Sequence, residues 1–174
     1  MVKVLITAEE IARRVKELAD EISRDYEGKE LLVVGILKGA WIFLADLVRQ
    51  LKVPVYIDFM TVSSYGKSTR SSGVVKIVTD LRCAIEDKDV LIVEDILDAG
   101  LTLKYITDSL RLRRPRSLKL CVLMDKPERR LVNIEPDYRG FVIPNKFVVG
   151  YGADFAERFR NLPCIGFVEE EGEP

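Results

Sequence analysis

Short apolar runs alternate along this chain with segments in which apolar residues recur at helical spacing. Three apolar runs have the length and composition of strands that are buried on both faces: Leu31–Ile36, Val90–Val93 and Leu118–Met124. Segments with helical spacing follow Thr7, cover about 40–51 and cover 101–113. This alternation predicts an α/β fold with a mainly parallel central sheet flanked by helices.

The length of the chain limits how many domains it can form. With 174 residues, of which 48% are hydrophobic, it can bury one substantial core but is short for two ordinary domains. We predict a single domain, residues 1–174, with a core from about 25 to 140. The C-terminal third carries short strand candidates separated by proline and glycine: Phe141–Ile143, Phe147–Val149 and Ile165–Val168. Residues from about 1–10 and 141–174 are expected to form a small hood beside the sheet.

Composition and charge exclude several classes of protein. No apolar run approaches the roughly 20 residues of a membrane-spanning helix, and the first ten residues lack the pattern of a secretory signal. We therefore expect a cytoplasmic protein with no membrane partner. The formal net charge is −1, with both signs interspersed, which argues against a nucleic-acid partner.

The chain has no histidine and only three widely spaced cysteines. Neither a disulfide framework nor a zinc site is indicated. Any chemistry must then rest on carboxylates, lysine, tyrosine and cations that prefer oxygen ligands.

The segment Val90–Thr102 carries the strongest functional signal, because a buried strand ends there in three carboxylates and a turn that opens a helix. Ligands of open α/β sheets bind outside the carboxyl ends of the strands. Glu94 and Asp95 are costly to desolvate unless a cation or a ribose diol compensates. Gly100 permits unusual backbone angles, and the helix N-terminus attracts a phosphate. The segment fits neither the P-loop nor the dinucleotide fingerprint.

A plainer interpretation of the same segment is also open. Asp98 or Thr102 could cap the helix, while Glu94 and Asp95 are solvated surface charges. The structure of the turn distinguishes the two.

The segment Val90–Thr102 resembles the phosphoribosyl pyrophosphate signature of the type I phosphoribosyltransferases. Five further segments resemble, in order, the hypoxanthine-guanine branch of that family: residues 37–39, 64–66, 125–127, 136–138 and 146–154. The resemblance runs from about Val4 to Val168. It implies the type I phosphoribosyltransferase fold and an enzyme of purine salvage that transfers the phosphoribosyl group to hypoxanthine and/or guanine, giving IMP or GMP. It also implies Mg²⁺ as cofactor and a homodimer or homotetramer.

The resemblance assigns residues to phosphoribosyl pyrophosphate. Glu94 and Asp95 would bind the ribose hydroxyls, directly or through Mg²⁺, and the turn at 98–102 would hold the 5′-phosphate. In the family, the Leu-Lys-Gly segment, here residues 37–39, often contains a cis peptide and contacts pyrophosphate. The loop that corresponds to residues 63–73 of this chain closes over the site in the family. The residues implied are Lys38, Gly39, Ser64, Tyr65, Glu94, Asp95, Asp98, Ala99, Gly100, Leu101, Thr102 and Arg160.

The resemblance also assigns residues to the base. Phe147 would stack on the purine, the backbone of Val148 would meet its edge, and Lys126 would donate to O6. Because lysine is a donor only, a 6-oxopurine is expected over adenine. Asp98 would be the acid/base residue near N7. Asp154 would line the base site and help to hold a second Mg²⁺.

Two positions depart from the family pattern. Ala99 stands where the family usually has Ser or Thr, and Asn145 stands where it often has Asp. The lost hydroxyl predicts weaker binding of phosphoribosyl pyrophosphate by about 1 kcal/mol. Three other functions on the same fold stay open, namely a nucleotide-sensing RNA-binding regulator, a xanthine-guanine enzyme and a uracil enzyme. The sequence does not rank hypoxanthine, guanine and xanthine.

Overall fold

The protein is described by a computed structural model that covers residues 1–64 and 75–168. Nine strands, three α-helices and one 3₁₀ helix make up this part of the chain. They are β1 (Val2–Ile6), α1 (Ala8–Asp25), β2 (Leu31–Leu37), α2 (Trp41–Val48), β3 (Val55–Ser64), β4 (Val75–Thr79), β5 (Asp89–Leu97), α3 (Leu101–Arg111), β6 (Ser117–Asp125), the 3₁₀ helix (Pro127–Arg129), β7 (Tyr138–Val142), β8 (Val148–Val149) and β9 (Ile165–Val168).

The main sheet has six strands in the order β4-β3-β2-β5-β6-β7. Only the β3–β4 pair is antiparallel, so the prediction of a mainly parallel α/β sheet is confirmed. β2 and β5 are buried on both faces, as their continuous apolar runs indicate. One hydrophobic cluster covers the face under α1 and α2, and a second covers the face under α3.

The helix predicted after Thr7 is present as α1 and begins with a capping box. The amide of Glu10 donates to the Thr7 hydroxyl at 3.2 Å, and the Glu10 carboxylate accepts from the amide of Thr7 at 2.8 Å. The apolar residues at helical spacing face the core. They are Ile11, Val15, Leu18 and Ile22.

A second, small sheet has the order β1-β9-β8 and is antiparallel. It joins the two ends of the described chain, since Val2 pairs with Val168. The placement of Phe141–Ile143 in the hood was wrong, because β7 pairs parallel with β6 in the main sheet. A Cβ at Gly140 would lie 2.3 Å from the Leu123 carbonyl oxygen. The glycine therefore lets β7 approach β6 closely.

In the part of the chain that the structure covers, no helix is long and apolar enough to cross a membrane.

Candidate active site

Three segments meet at the carboxyl ends of the parallel strands. A Cβ on Gly39, after β2, would lie 2.3 Å from a carboxylate oxygen of Asp95 in β5. A Cβ on Gly152, after β8, would lie 2.2 Å from the carbonyl oxygen of Gly39, and Gly152 has a φ of +103°. The absence of side chains at both glycines lets the β2 turn contact β5 on one side and the loop after β8 on the other. The site predicted at this edge is therefore assembled from residues far apart in sequence.

The turn after β2 has the backbone that the resemblance implies. The Leu37–Lys38 peptide is cis. The Lys38 carbonyl accepts from the amide of Trp41 at 3.1 Å, at the start of α2. The Leu-Lys-Gly segment thus turns directly from strand into helix.

Glu94 and Asp95 are adjacent near the carboxyl end of β5, with Asp95 buried and Glu94 half-buried. The amide of Asp95 donates to Glu94 Oε1 at 2.9 Å. Burial, reinforced by the neighbouring Asp95 carboxylate, raises the pKa of Glu94 well above its usual range. A carboxylate in this position is favoured in its ionised form only when a cation or several hydrogen-bond donors accompany it.

The turn after β5 has no side-chain cap, which contradicts the plainer interpretation of this segment. Gly100 is the N-cap of α3, with a φ of +88°, and neither Asp98 nor Thr102 caps the helix. A Cβ on Gly100 would lie 2.7 Å from Ile134, so both backbone angle and space require glycine here. The N–H groups of Leu101 and Thr102 begin the helix without a side-chain partner, a geometry that favours an anion.

The side chain of Asp98 lies between two cations. Its Oδ1 accepts from Arg129 Nε at 2.9 Å, and its Oδ2 lies 3.7 Å from Lys126 Nζ. The Lys126 side chain is only 7% exposed. Its burial lowers its pKa, although Asp98 opposes that effect. Sequence reasoning missed Arg129, whose only signal is its position one turn after Lys126.

The loop after β8 forms a group of charges opposite the β2 turn, in which Lys38 and Glu157 are exposed and Asp154 and Arg160 are partly buried. Lys38 Nζ donates to Glu157 Oε2 at 2.9 Å, across 119 residues of sequence. Arg160 lies 3.1 Å from Asp154 Oδ1 and 3.2 Å from Glu157 Oε1. The hydrogen bond from Lys38, followed by that from Arg160, lowers the pKa of Glu157. Lys38, Asp154 and Arg160 are thus brought together, and Glu157, which the sequence did not single out, joins them.

Comparison with known proteins gives a consistent result. Residues 3–156 match the family model of the phosphoribosyl transferase domain. Over 169 residues the chain is 55% identical to the hypoxanthine-guanine phosphoribosyltransferase of Aquifex aeolicus, covering 97% of this chain and 95% of that one. The crystal structure of a hypoxanthine-guanine phosphoribosyltransferase from Bacillus anthracis is 48% identical, with a TM-score of 0.93, and covers 97% of this chain and 100% of that one. The chain belongs to the phosphoribosyltransferase family.

The chain spans only about a quarter of the length of some relatives. The chain is 52% identical over 169 residues to the bifunctional protein TilS/HprT of Listeria monocytogenes. It covers 26% of that protein's length.

Of the residues that the resemblance assigns to the base, Phe147 is the most exposed. The residue is 59% exposed, and its ring packs edge-to-face with that of Phe155, with centroids 5.6 Å apart and planes at 84°. Val148 is buried in β8 and pairs with Phe167. The phosphoribosyltransferase therefore carries a largely exposed aromatic ring that contacts a second one.

Two assigned residues fall at the limit of the described structure. Ser64 is the last residue of β3, and Tyr65, with most of the 63–73 loop, lies outside the described residues. Their contact with pyrophosphate stays a prediction.

Proposed function

We propose that this phosphoribosyltransferase transfers the 5-phosphoribosyl group from phosphoribosyl pyrophosphate to hypoxanthine and/or guanine, giving IMP and/or GMP and pyrophosphate. The observation that carries the proposal is the buried Lys126 facing Asp98 at the carboxyl end of β6. The names of the Aquifex aeolicus and Bacillus anthracis relatives support the same activity.

Base selection follows from the donor-only chemistry of Lys126. Its ammonium donates to O6 of a 6-oxopurine, whereas the 6-amino group of adenine would leave a buried cation without a partner. The exposed ring of Phe147 stacks on the base, and the Val148 backbone meets the edge of the base. Asp154 lies at the border between the base and pyrophosphate.

Phosphoribosyl pyrophosphate lies across the turn after β2, the turn after β5 and the loop after β8. Glu94 and Asp95 bind the ribose hydroxyls, and the uncapped turn from Asp98 to Thr102 holds the 5′-phosphate. Lys38, Gly39 and Arg160 contact the pyrophosphate. Ala99 supplies only its backbone, so one hydroxyl contact of the usual family pattern is missing. If Ala99→Thr does not tighten binding, that missing contact is unimportant.

The same residues fit Mg²⁺ as the cofactor. Asp95 is buried, and the half-buried Glu94 next to it has a raised pKa, as expected of adjacent carboxylates that accompany a cation. Among residues 1–64 and 75–168, however, no group of three or more acidic or sulfur ligands could hold a metal alone. Asp154 therefore does not share a cage with Glu94 and Asp95, and substrate oxygens and water must complete each coordination sphere. When bound, the cation neutralises charge on the pyrophosphate.

The reaction is a displacement at the anomeric carbon of the ribose. The bond from that carbon to the pyrophosphate oxygen breaks as its bond to a purine ring nitrogen forms. Asp98 accepts the proton that the purine loses, and the neighbouring Lys126 and Arg129 hold the Asp98 carboxylate in place. Positioning and electrostatic stabilisation supply the acceleration, since no covalent intermediate is needed.

Pyrophosphate release is the direct test. Hypoxanthine, guanine, xanthine, adenine and uracil are assayed separately with phosphoribosyl pyrophosphate, with and without Mg²⁺. Turnover with hypoxanthine or guanine that requires Mg²⁺ supports the proposal. Turnover with xanthine or uracil alone would replace it with one of the two other enzymes, and no turnover would make RNA binding in a gel-shift assay the next test.

We expect a homodimer or homotetramer. Trp41 at the start of α2 and Phe59 of β3 are large and exposed, and Phe59 lies beside Leu44 on the α2 side of the sheet. Apolar side chains of this size favour burial against another subunit. A monomer in sedimentation at micromolar concentration would contradict this expectation.

The proposed compartment is the cytoplasm. Cys83, Cys121 and Cys164 are all free thiols in the described structure, which suits a reducing environment. Fractionation of cells that express the full chain tests the assignment.

A further inference from the structure

A fully buried carboxylate ends β6 directly beside the proposed active site. Asp125 has a side-chain exposure of 0% and lies between two arginines. Arg130 donates through one terminal nitrogen to Oδ1 at 2.5 Å. The Nε of Arg139 lies 2.7 Å from Oδ2 without hydrogen-bond geometry. A charge this deep requires such partners, because its desolvation is otherwise very costly.

The other guanidinium nitrogens of Arg130 donate to backbone carbonyls, including that of Asp98, which Arg139 does not contact. The second terminal nitrogen donates to the carbonyl of Asp98 at 2.7 Å and to that of Leu97 at 3.3 Å. Its Nε donates to the carbonyl of Ile134 at 3.0 Å. One rigid guanidinium, held by Asp125, therefore fixes the backbone at the start of the proposed phosphate-binding turn.

The backbone reinforces this connection. The amide of Leu131, next to Arg130, donates to the Ala99 carbonyl at 2.9 Å, and the amide of Lys126 donates to the Leu97 carbonyl at 2.9 Å. The backbone that carries the Asp98 carboxylate is thus hydrogen-bonded at Leu97, Asp98 and Ala99. A shift of the Asp98 carbonyl would move the carboxylate away from Lys126 and Arg129.

We infer that Arg130, locked by Asp125, is a positioning residue that sets the Leu97–Ala99 backbone so that the Asp98 carboxylate faces the reacting purine. This inference rests on the proposed function. Arg130 does not touch substrate and acts only through Asp98 and the turn that follows it. Positional errors of about 1 Å are known to cost roughly a hundredfold in rate, so such a residue affects turnover strongly.

Arg139 provides a matched control, because it contacts the same carboxylate but not the Asp98 backbone. If Arg130 only neutralises Asp125, Arg130→Met and Arg139→Met should have similar effects. If it positions Asp98, only Arg130→Met should slow the reaction. Arg130→Lys keeps the charge but loses the planar fork, and it is expected to fall between wild type and Arg130→Met.

The experiment measures kcat and KM for both substrates in wild type and the three variants, together with their thermal stability. We expect kcat of Arg130→Met to fall by about tenfold or more, with KM for hypoxanthine changed by less than about threefold. Arg139→Met should keep kcat within about threefold of wild type. Equal losses in the two methionine variants, or full kcat in Arg130→Met, would overturn the inference.

Amide hydrogen exchange across residues 95–104 gives a second readout that does not depend on turnover. Exchange there should be faster in Arg130→Met than in wild type or Arg139→Met, because the turn loses its anchor. Unchanged exchange would also overturn the inference. Wild-type protein that releases no pyrophosphate with any base would reject the proposed function alone, since exchange would still decide whether Arg130 fixes the turn.

Discussion

The site contains two clusters of charged side chains. They differ more in how deeply their lysine is buried than in the distance from that lysine to its carboxylate. The Asp98 cluster, formed by Asp98, Lys126 and Arg129, contains a lysine that is 7% exposed and lies 3.7 Å from its carboxylate. The Glu157 cluster, formed by Lys38, Asp154, Glu157 and Arg160, contains a lysine that is 67% exposed and lies 2.9 Å from its carboxylate. The closer pair is therefore the one that water screens more.

This difference predicts different roles. Water and salt weaken an exposed ion pair such as Lys38–Glu157, so a polyanion can replace Glu157 as the partner of Lys38 at little cost. Lys126 is fixed beside Asp98 before any substrate arrives, because a buried cation cannot easily lose its partner. We expect the purine side of the site to be preorganised and the pyrophosphate side to exchange its partners.

The largest effect is expected from removing the charge at the centre of the Asp98 cluster. Asp98→Asn should lower kcat by about a hundredfold or more, because it loses the proton acceptor and leaves Lys126 without its carboxylate. The assay is pyrophosphate release at saturating substrate. A variant with kcat within tenfold of wild type would show that Asp98 is not the acid/base residue.

A smaller loss is expected from removing the buried cation. Lys126→Met should lower kcat/KM for hypoxanthine by about 10- to 100-fold, the range of a lost hydrogen bond to a charged group. Discrimination against adenine should weaken in the same variant. Lys38→Met is the matched control from the Glu157 cluster, and it should raise KM for phosphoribosyl pyrophosphate while leaving base preference unchanged. Equal base preference in wild type and Lys126→Met would contradict the assignment.

Glu94 tests whether burial beside another carboxylate makes a charge costly here. Its raised pKa means that it contributes stability below its usual pKa near 4.5, and that this contribution is lost as the pH rises through the folded-state pKa. Glu94→Gln should therefore raise the melting temperature by a few degrees at pH 7 and have little effect near pH 4. The same variant should bind phosphoribosyl pyrophosphate and Mg²⁺ more weakly. A melting temperature that falls at both pH values would reject this account.

The smallest effect is expected in the Glu157 cluster. Glu157→Gln removes the charge that competes for Lys38 and Arg160, so pyrophosphate should bind about two- to threefold more tightly. Titration calorimetry with and without added salt measures the change, which should diminish as salt screens the pair. Weaker binding would instead mean that Glu157 holds Arg160 in its working position.

Local patterns accounted for the parts of the fold that are encoded within a few residues. Thr7 and Glu10 predicted the start of α1, and the run Val90–Val93 predicted the central strand β5, which carries Glu94 and Asp95 near its carboxyl end. The family resemblance was confirmed. The roles of individual residues at the site stay predictions.

What the sequence did not reveal depends on partners far away. β1 was not recognised as a strand, because its pairing partner β9 lies at the other end of the described chain. Lys38 meets Glu157 across 119 residues, and Arg130 reaches the Asp98 carbonyl across 32. No periodicity or local motif encodes such contacts, since they arise only when the strand ends are brought together by the sheet.

The contact between Gly39 and Gly152 also limits how this site can evolve. Any single-base change that replaces glycine adds at least a Cβ, and at Gly152 that atom would fall 2.2 Å from a backbone oxygen that no rotamer change can move. In a saturation library screened for activity, we expect this position to return almost only glycine codons. Diversity of substrate use must then arise elsewhere, through the side chains around the junction rather than at the junction itself.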